Sequence, residues 1–208
     1  MPKSRIRKKS TKGKTKTLDW GAGSAKGSGL INLVLAAVAL VAVVAGGLYF
    51  WELRQAGSDF AGLAAAGQSA LAGVETTPDR GGGHLGLGEG HSYGVAFPTS
   101  GIHDQVPIAP GFYTEPQRAT QLVHSVEHGH IVIYYEDPGA EARDTIEAWT
   151  TLFGGNWDGV VAVPASGLGK AVVLTAWRKN LTLDSFDPAA AAAFVDTYRG
   201  RGPEKRVR

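Results

Sequence analysis

The sequence predicts an α/β protein: one N-terminal transmembrane helix followed by a small mixed-sheet α/β sandwich domain with a long, irregular, His-rich N-terminal half. Three observations predict it. Residues 30–50 (LINLVLAAVALVAVVAGGLYF) carry no charge. From residue 116 onward, short β-branched runs alternate with amphipathic stretches. All six histidines of the 208-residue chain fall between His84 and His130, in a stretch rich in Gly and Pro, and there is no cysteine.

The first 29 residues hold nine Lys or Arg against one acid, Asp19, and almost no apolar side chain, so they are expected to be a basic disordered tail. The apolar run that follows has the length of a bilayer's hydrocarbon core, about 31 Å as a helix. Tyr49, Phe50 and Trp51 close it as an interfacial belt would, which sets a transmembrane helix over 30–51. A cleaved signal peptide has a shorter apolar region with a small-residue cleavage site close behind it. With the basic residues before the span, the positive-inside rule places the tail in the cytoplasm and the remainder outside, as an extracytoplasmic domain at the cell membrane. Anionic lipid is the expected partner of the tail, other envelope proteins are candidate partners of the domain, and nucleic acid is not expected. Beyond residue 29 the chain has 12 basic and 18 acidic residues, net −6, so the modest positive total conceals two oppositely charged parts. Without cysteine, thiol redox chemistry and thiolate metal sites are excluded.

Residues 52–83 are expected to form a juxtamembrane helix, with Phe60, Leu63, Leu71 and Val74 on one stripe, and then a Gly-rich linker at TTPDRGGG. The domain is expected over 84–203, with a short basic tail at 204–208. Residues 84–115 lack periodic apolar pattern, and long loops of that kind tend to be functional or disordered. A helix is expected over 116–128, capped by Thr114 and stopped at Gly129, with Leu122 and Val126 inward. HIVIYY at 130–135 is expected as a strand, 140–153 as a helix with Ile146, Trp149, Leu152 and Phe153 inward, GVVAVP and AVVLTAW as strands, and 187–199 as a last helix.

His124-Ser125-Val126-Glu127-His128 fits H-x-x-E-H, the inverted zinc-peptidase pattern, and on a helix it puts His124 and His128 on one face with Glu127 beside them. A peptidase helix would continue past the second His, whereas Gly129 stops this one. If the segment were a strand instead, His128 and His130 would share a face. With His103 brought in from the preceding loop, a three-histidine site with Glu127 suits zinc or copper(II). The other account of these residues is a buried polar network that pins the loops. A common site requires imidazoles of His103, His124 and His128 no more than about 8 Å apart, since metal–nitrogen bonds are about 2 Å. Ser100 lies outside any G-x-S-x-G elbow and is better placed in a turn; Gly86-x-Gly88-x-Gly90 lacks the flanking strand and helix of a nucleotide loop, so no nucleotide is expected.

Pro98-Thr99-Ser100-Gly101-Ile102-His103 and Val123-His124-Ser125-Val126-Glu127-His128-Gly129 resemble the two boxes of a bacterial family catalogued as domain of unknown function 3105. Its members carry P-T-S-G-x-H and V-H-S-hydrophobic-E-H-G, usually behind one transmembrane segment. His91-Ser92-Tyr93 is similar to the family's earlier histidine, and Gly111-Phe112-Tyr113 to its G-x-Y. Phe97 and Ile102 stand where the family usually has proline, and His84 and His130 fall outside the shared pattern. The resemblance implies the site list His91, His103, His124, Glu127 and His128, and is silent about activity. Three functions follow: a metal-binding envelope domain, a metal-dependent hydrolase with Glu127 as base, or a metal-free interaction module.

Overall fold

The computed structural model describes residues 28–208, so most of the basic tail expected over 1–29 lies outside the described residues. The chain divides into two compact units, residues 1–46 and 47–208. Helix α1 (Ser28–Ala66) crosses that division. From Ile31 it is long and apolar enough to cross a membrane, with its most apolar stretch unburied.

The second unit is a six-stranded mixed sheet in the order β1-β6-β5-β3-β4-β2. Its strands are β1 (Glu75–Thr76), β2 (Gly111–Phe112), β3 (Ile131–Tyr135), β4 (Val160–Pro164), β5 (Val172–Ala176) and β6 (Lys179–Leu183). β3 pairs parallel with β4 and antiparallel with β5. It is buried at every position, which explains an unbroken IVIYY rather than an alternating pattern. Successive side chains part to opposite faces. Ile131, Ile133, Val160, Ala162 and Leu174 pack with α3 (Ala140–Leu152) and α4 (Pro188–Tyr198), through Ile146, Trp149, Phe194 and Val195. Val132, Tyr134, Val161 and Val173 pack on the other face with Ile108 and with Leu122 and Val126 of α2 (Ala119–His128). Burying each large apolar side chain contributes about 1.5–3 kcal/mol, so both layers are needed to hold the sheet flat-sided and dry.

Several elements differ from expectation. Helix α1 runs without a break into the 52–66 region, and a 3-10 turn (Gln68–Gly73) follows it. Phe60 and Ala64 join the core, and Gly67 passes so close to α4 that a Cβ there would strike the Ala189 carbonyl oxygen. The region expected as juxtamembrane helix and linker therefore contributes core and sheet edge. Helix α2 starts at Ala119 rather than 116, with Arg118 instead of Thr114 at its cap position. Strand β6 was not expected: Lys179 and Asn180 break its apolar pattern, and the preceding turn has Arg178 at φ 59 where Gly or Asn would signal a hairpin. Arg178 is held there by backbone hydrogen bonds, its N–H donating to Thr99 and its carbonyl accepting from Thr77.

The start of α4 matches its sequence signal. Asp187 accepts from the Ala189 and Ala190 amides at 2.9 and 3.2 Å, with Pro188 in the first turn. Asp187→Ala is expected to cost about 1 kcal/mol, read as a lowered melting temperature; an unchanged melting temperature would show that the cap is dispensable.

Candidate metal centre

The two dense sequence boxes meet because each is tied to a neighbour by its small polar residues. In the first, the Ser100 hydroxyl donates to the Pro78 carbonyl and accepts from the Arg80 amide. Thr99 shares a hydrogen bond with Thr77. The Gly101 and His103 amides donate to the Gly81 and Gly83 carbonyls, so residues 81–85 lie alongside 101–103 and His84 faces His103 in a parallel bridge. Ser100 is fully buried, with its hydroxyl committed to backbone, as a turn residue would be and a nucleophile would not. In the second box, Ser125 donates to the Ile108 carbonyl and accepts from its amide, fastening loop 104–110 onto α2. Gly129 then ends α2 at φ 100, a left-handed conformation that suits glycine. The strand alternative for 128–130 is thereby corrected: His128 is the last helical residue and β3 begins at Ile131.

Imidazoles of His103 and His124 lie 4.8 Å apart between ring centres, and those of His124 and His128 4.6 Å apart. His84 is 5.0 Å from both His103 and His124. One ligand atom from each of His84, His103, His124 and Glu127 falls within 4.8 Å of the others, a group that could hold a metal ion; His124, His128 and Glu204 form a second such group.

The tautomers follow from the carbonyls. His103 Nδ1 is 2.8 Å from the Gly101 carbonyl oxygen and His124 Nδ1 is 2.7 Å from that of Asp104. A carbonyl only accepts, so both Nδ1 atoms donate, and in the neutral rings both Nε2 atoms keep a lone pair. Burial pulls the His124 imidazole down to about 4; the Asp104 carbonyl opposes this, and His128, His103 and His84 add to the drop. His124 is thus neutral at pH 7, and its Nε2 lone pair, 3.1 Å from His128 Nε2, can serve as a ligand. His103 is fully buried, and its Nε2 lies 2.9 Å from Glu127 Oε2, yet off any hydrogen-bonding direction, so the nitrogen has no hydrogen-bond partner. A ring nitrogen carrying a lone pair and a carboxylate oxygen that close repel unless a cation or proton lies near both. Gly82 leaves room for the carboxylate, since a Cβ there would come within 2.9 Å of Glu127 Oε1.

The residues expected at the site are therefore placed differently. His103, His124 and Glu127 converge. His128 joins His124 on the other side, stacked on Trp157 at 4.2 Å. His91 packs edge-on against Tyr93 at 4.6 Å and belongs to neither group. His130 is buried, donating from Nε2 to the Asn156 carbonyl at 2.8 Å. His84, set aside as outside the shared pattern, and Glu204, assigned to a basic tail, both enter the groups. A sequence signal for His84 existed only in its proximity to the other histidines, and Glu204 had none.

The C-terminal segment closes over the end of α2. The Gly200 amide donates to the Gly129 carbonyl at 2.8 Å, and a Cβ at Gly202 would strike the Glu127 carbonyl oxygen. Lys205 Nζ sits 5.2 Å above the Trp157 ring. A cavity of about 310 Å³, walled by Val106 to Pro110, Asn156 and Trp157, reaches His128 and His130.

Residues 84–208, loops, both boxes and this closing segment together, match the family described as Protein of unknown function (DUF3105). The chain belongs to that family. No curated protein and no solved structure matches it. In this DUF3105 member the match reaches the last residue, so Glu204 lies inside the family region along with His84 and the two boxes.

Proposed function

We propose that this protein is a membrane-anchored, extracytoplasmic binder of a divalent transition metal, copper(II) or zinc, held by His84, His103, His124 and Glu127. One observation carries the reading. His103 and His124 each give Nδ1–H to a backbone carbonyl, which leaves each Nε2 a lone pair; one ligand atom from each of them and from Glu127 lies within 4.8 Å of the others, and the fully buried His103 Nε2 has no hydrogen-bond partner. Orientation of ligating imidazoles through the second ring nitrogen is how proteins preset a metal site. Three nitrogens and an oxygen suit zinc or copper(II), while the absence of cysteine and of any methionine except Met1 argues against copper(I). Glu127, close to a ligand nitrogen, serves as a ligand in this reading. The apolar α1 supports a membrane anchor, and the basic flank of the span supports an outward domain beside anionic lipid, where it binds, delivers or senses the ion together with other envelope proteins.

The test is elemental analysis of the full chain, purified in detergent without a His tag or chelator. The expected result is about one equivalent of copper or zinc, removable by a strong chelator with a fall in melting temperature, because an ion bound only to the folded state stabilises it by about 2.7 kcal/mol at a hundred times its Kd. A folded, metal-free protein that also ignores added copper(II) and zinc would overturn the proposal.

A further inference from the structure

The two ligand groups overlap at one residue. Among the described residues, His124 alone belongs to both His84–His103–His124–Glu127 and His124–His128–Glu204. Its Nδ1 is committed to the Asp104 carbonyl, which leaves a single lone pair, on Nε2. One imidazole lone pair serves one ion. His124 Nε2 lies 3.1 Å from His128 Nε2, close to the spacing of two nitrogens around an ion with bonds of about 2 Å. His128 Nε2 lies 3.0 Å from Glu204 Oε2. A proton on His128 Nε2 can point well at His124 or at Glu204 but not at both, whereas a cation among the three satisfies all of them. Glu204 is no stray surface acid. The segment that carries it is anchored by Gly200 on Gly129, by the close passage of Gly202, and by Lys205 over the Trp157 ring that stacks on His128.

We infer that the chain has a second metal position, formed by His128 and Glu204, which competes with the inner position for His124, so that one divalent ion is exchanged between the two. This rests on the metal-binding reading above. The positions differ in access. The inner one joins exposed His84 to His103, fully buried, to buried His124 and to Glu127, whose side chain is 15% exposed; in the outer one two of three ligands reach solvent, His128 in part and Glu204 at 46%, and it borders the cavity beside His128. The outer position is where the ion is taken up and surrendered, and the inner one is where it is stored. His124, on rigid α2 and fastened through Nδ1, is the common ligand of both.

The experiment is copper(II) alone, added to the metal-free full chain in detergent and followed by electron paramagnetic resonance and by the rate of transfer to a chelator. Binding is expected to saturate at one equivalent, with a wild-type spectrum that is the sum of two nitrogen/oxygen components. Glu204→Ala is expected to leave one component and to slow transfer by roughly tenfold or more. Glu127→Gln, backed by His103→Ala, is expected to leave only the other component. Two equivalents bound together, or a spectrum and transfer rate indifferent to both Glu204→Ala and His128→Ala, would overturn the exchange while the metal-binding reading stands. A wild type that binds no copper(II) would overturn the exchange of that ion, and one that ignores zinc as well would overturn the metal-binding reading too.

Discussion

Replacing His103 and His124 together by alanine is expected to lower copper(II) or zinc affinity by more than about a hundredfold, because losing even a supporting partner of a ligand costs 10–100-fold. Each substitution removes an Nε2 held in place by a carbonyl, and His124 is the residue common to both candidate groups. Competition against a chromogenic chelator measures the loss. His91→Ala, which removes a ring packed on Tyr93 outside both groups, is the control and is expected to leave affinity unchanged. Retained affinity in the double variant would move the site elsewhere. If His103→Ala lowers the melting temperature by the same amount with and without chelator, the imidazole serves only the fold, and the metal-free interaction module becomes the better account. Glu127→Gln separates ligand from base: a carboxylate that ligates weakens binding when neutralised, whereas a hydrolytic base would leave the metal in place and abolish turnover.

The metal-free protein is expected to lose stability steeply between pH 6.5 and 4. Burial pulls both His124 and His130 down to about 4 from the ordinary 6.5; their carbonyl hydrogen bonds, to Asp104 and Asn156, oppose this, and nearby histidines add to it. A lowered histidine pKa means the folded state prefers the neutral ring. Stability from this source is present in full above 6.5, declines as the unfolded chain takes up protons below it, and is gone once pH has fallen through 4. The loss is up to roughly 3 kcal/mol for each group, since each pKa unit corresponds to about 1.4 kcal/mol. Melting of the chelator-treated protein at pH 7.5 and pH 4.5 reads it, and His130→Gln should remove part of the difference. Equal melting temperatures at the two pH values, or a difference unchanged in His130→Gln, would sink this account. The same protons compete for Nε2, so metal occupancy is expected to fall in the same direction.

Much of the architecture was legible because burial writes itself into composition. IVIYY, VVAVP and VVLTA are apolar at nearly every position, as strands covered on both faces must be; α3 carries its inward side chains at helical spacing, and α4 is apolar and buried at every position from Ala190 to Val195. Strand β6 was illegible because its residues lie at a half-buried margin of the sheet and its turn uses Arg178, held by backbone partners that come from residues 77 and 99. The long His-rich half lacks periodic apolar pattern in its sequence. Its order comes instead from hydrogen bonds of Ser100 and Ser125 to distant backbone and of Thr99 to the Thr77 hydroxyl, which leave no periodic trace.

The site divides in the same way. Sequence alone determined the family, the α/β class, an apolar helix long enough for a membrane, and His124, Glu127 and His128 as neighbours on one helix, because helical spacing is a local property of the chain. Tertiary structure decided the rest. It set His84 beside His103 through a parallel bridge, left His91 against Tyr93, and brought Glu204 from the C-terminal segment to His128. The bridge and the Glu204 contact join residues far apart in sequence, which no local side-chain pattern encodes; only the closed fold brings those side chains together.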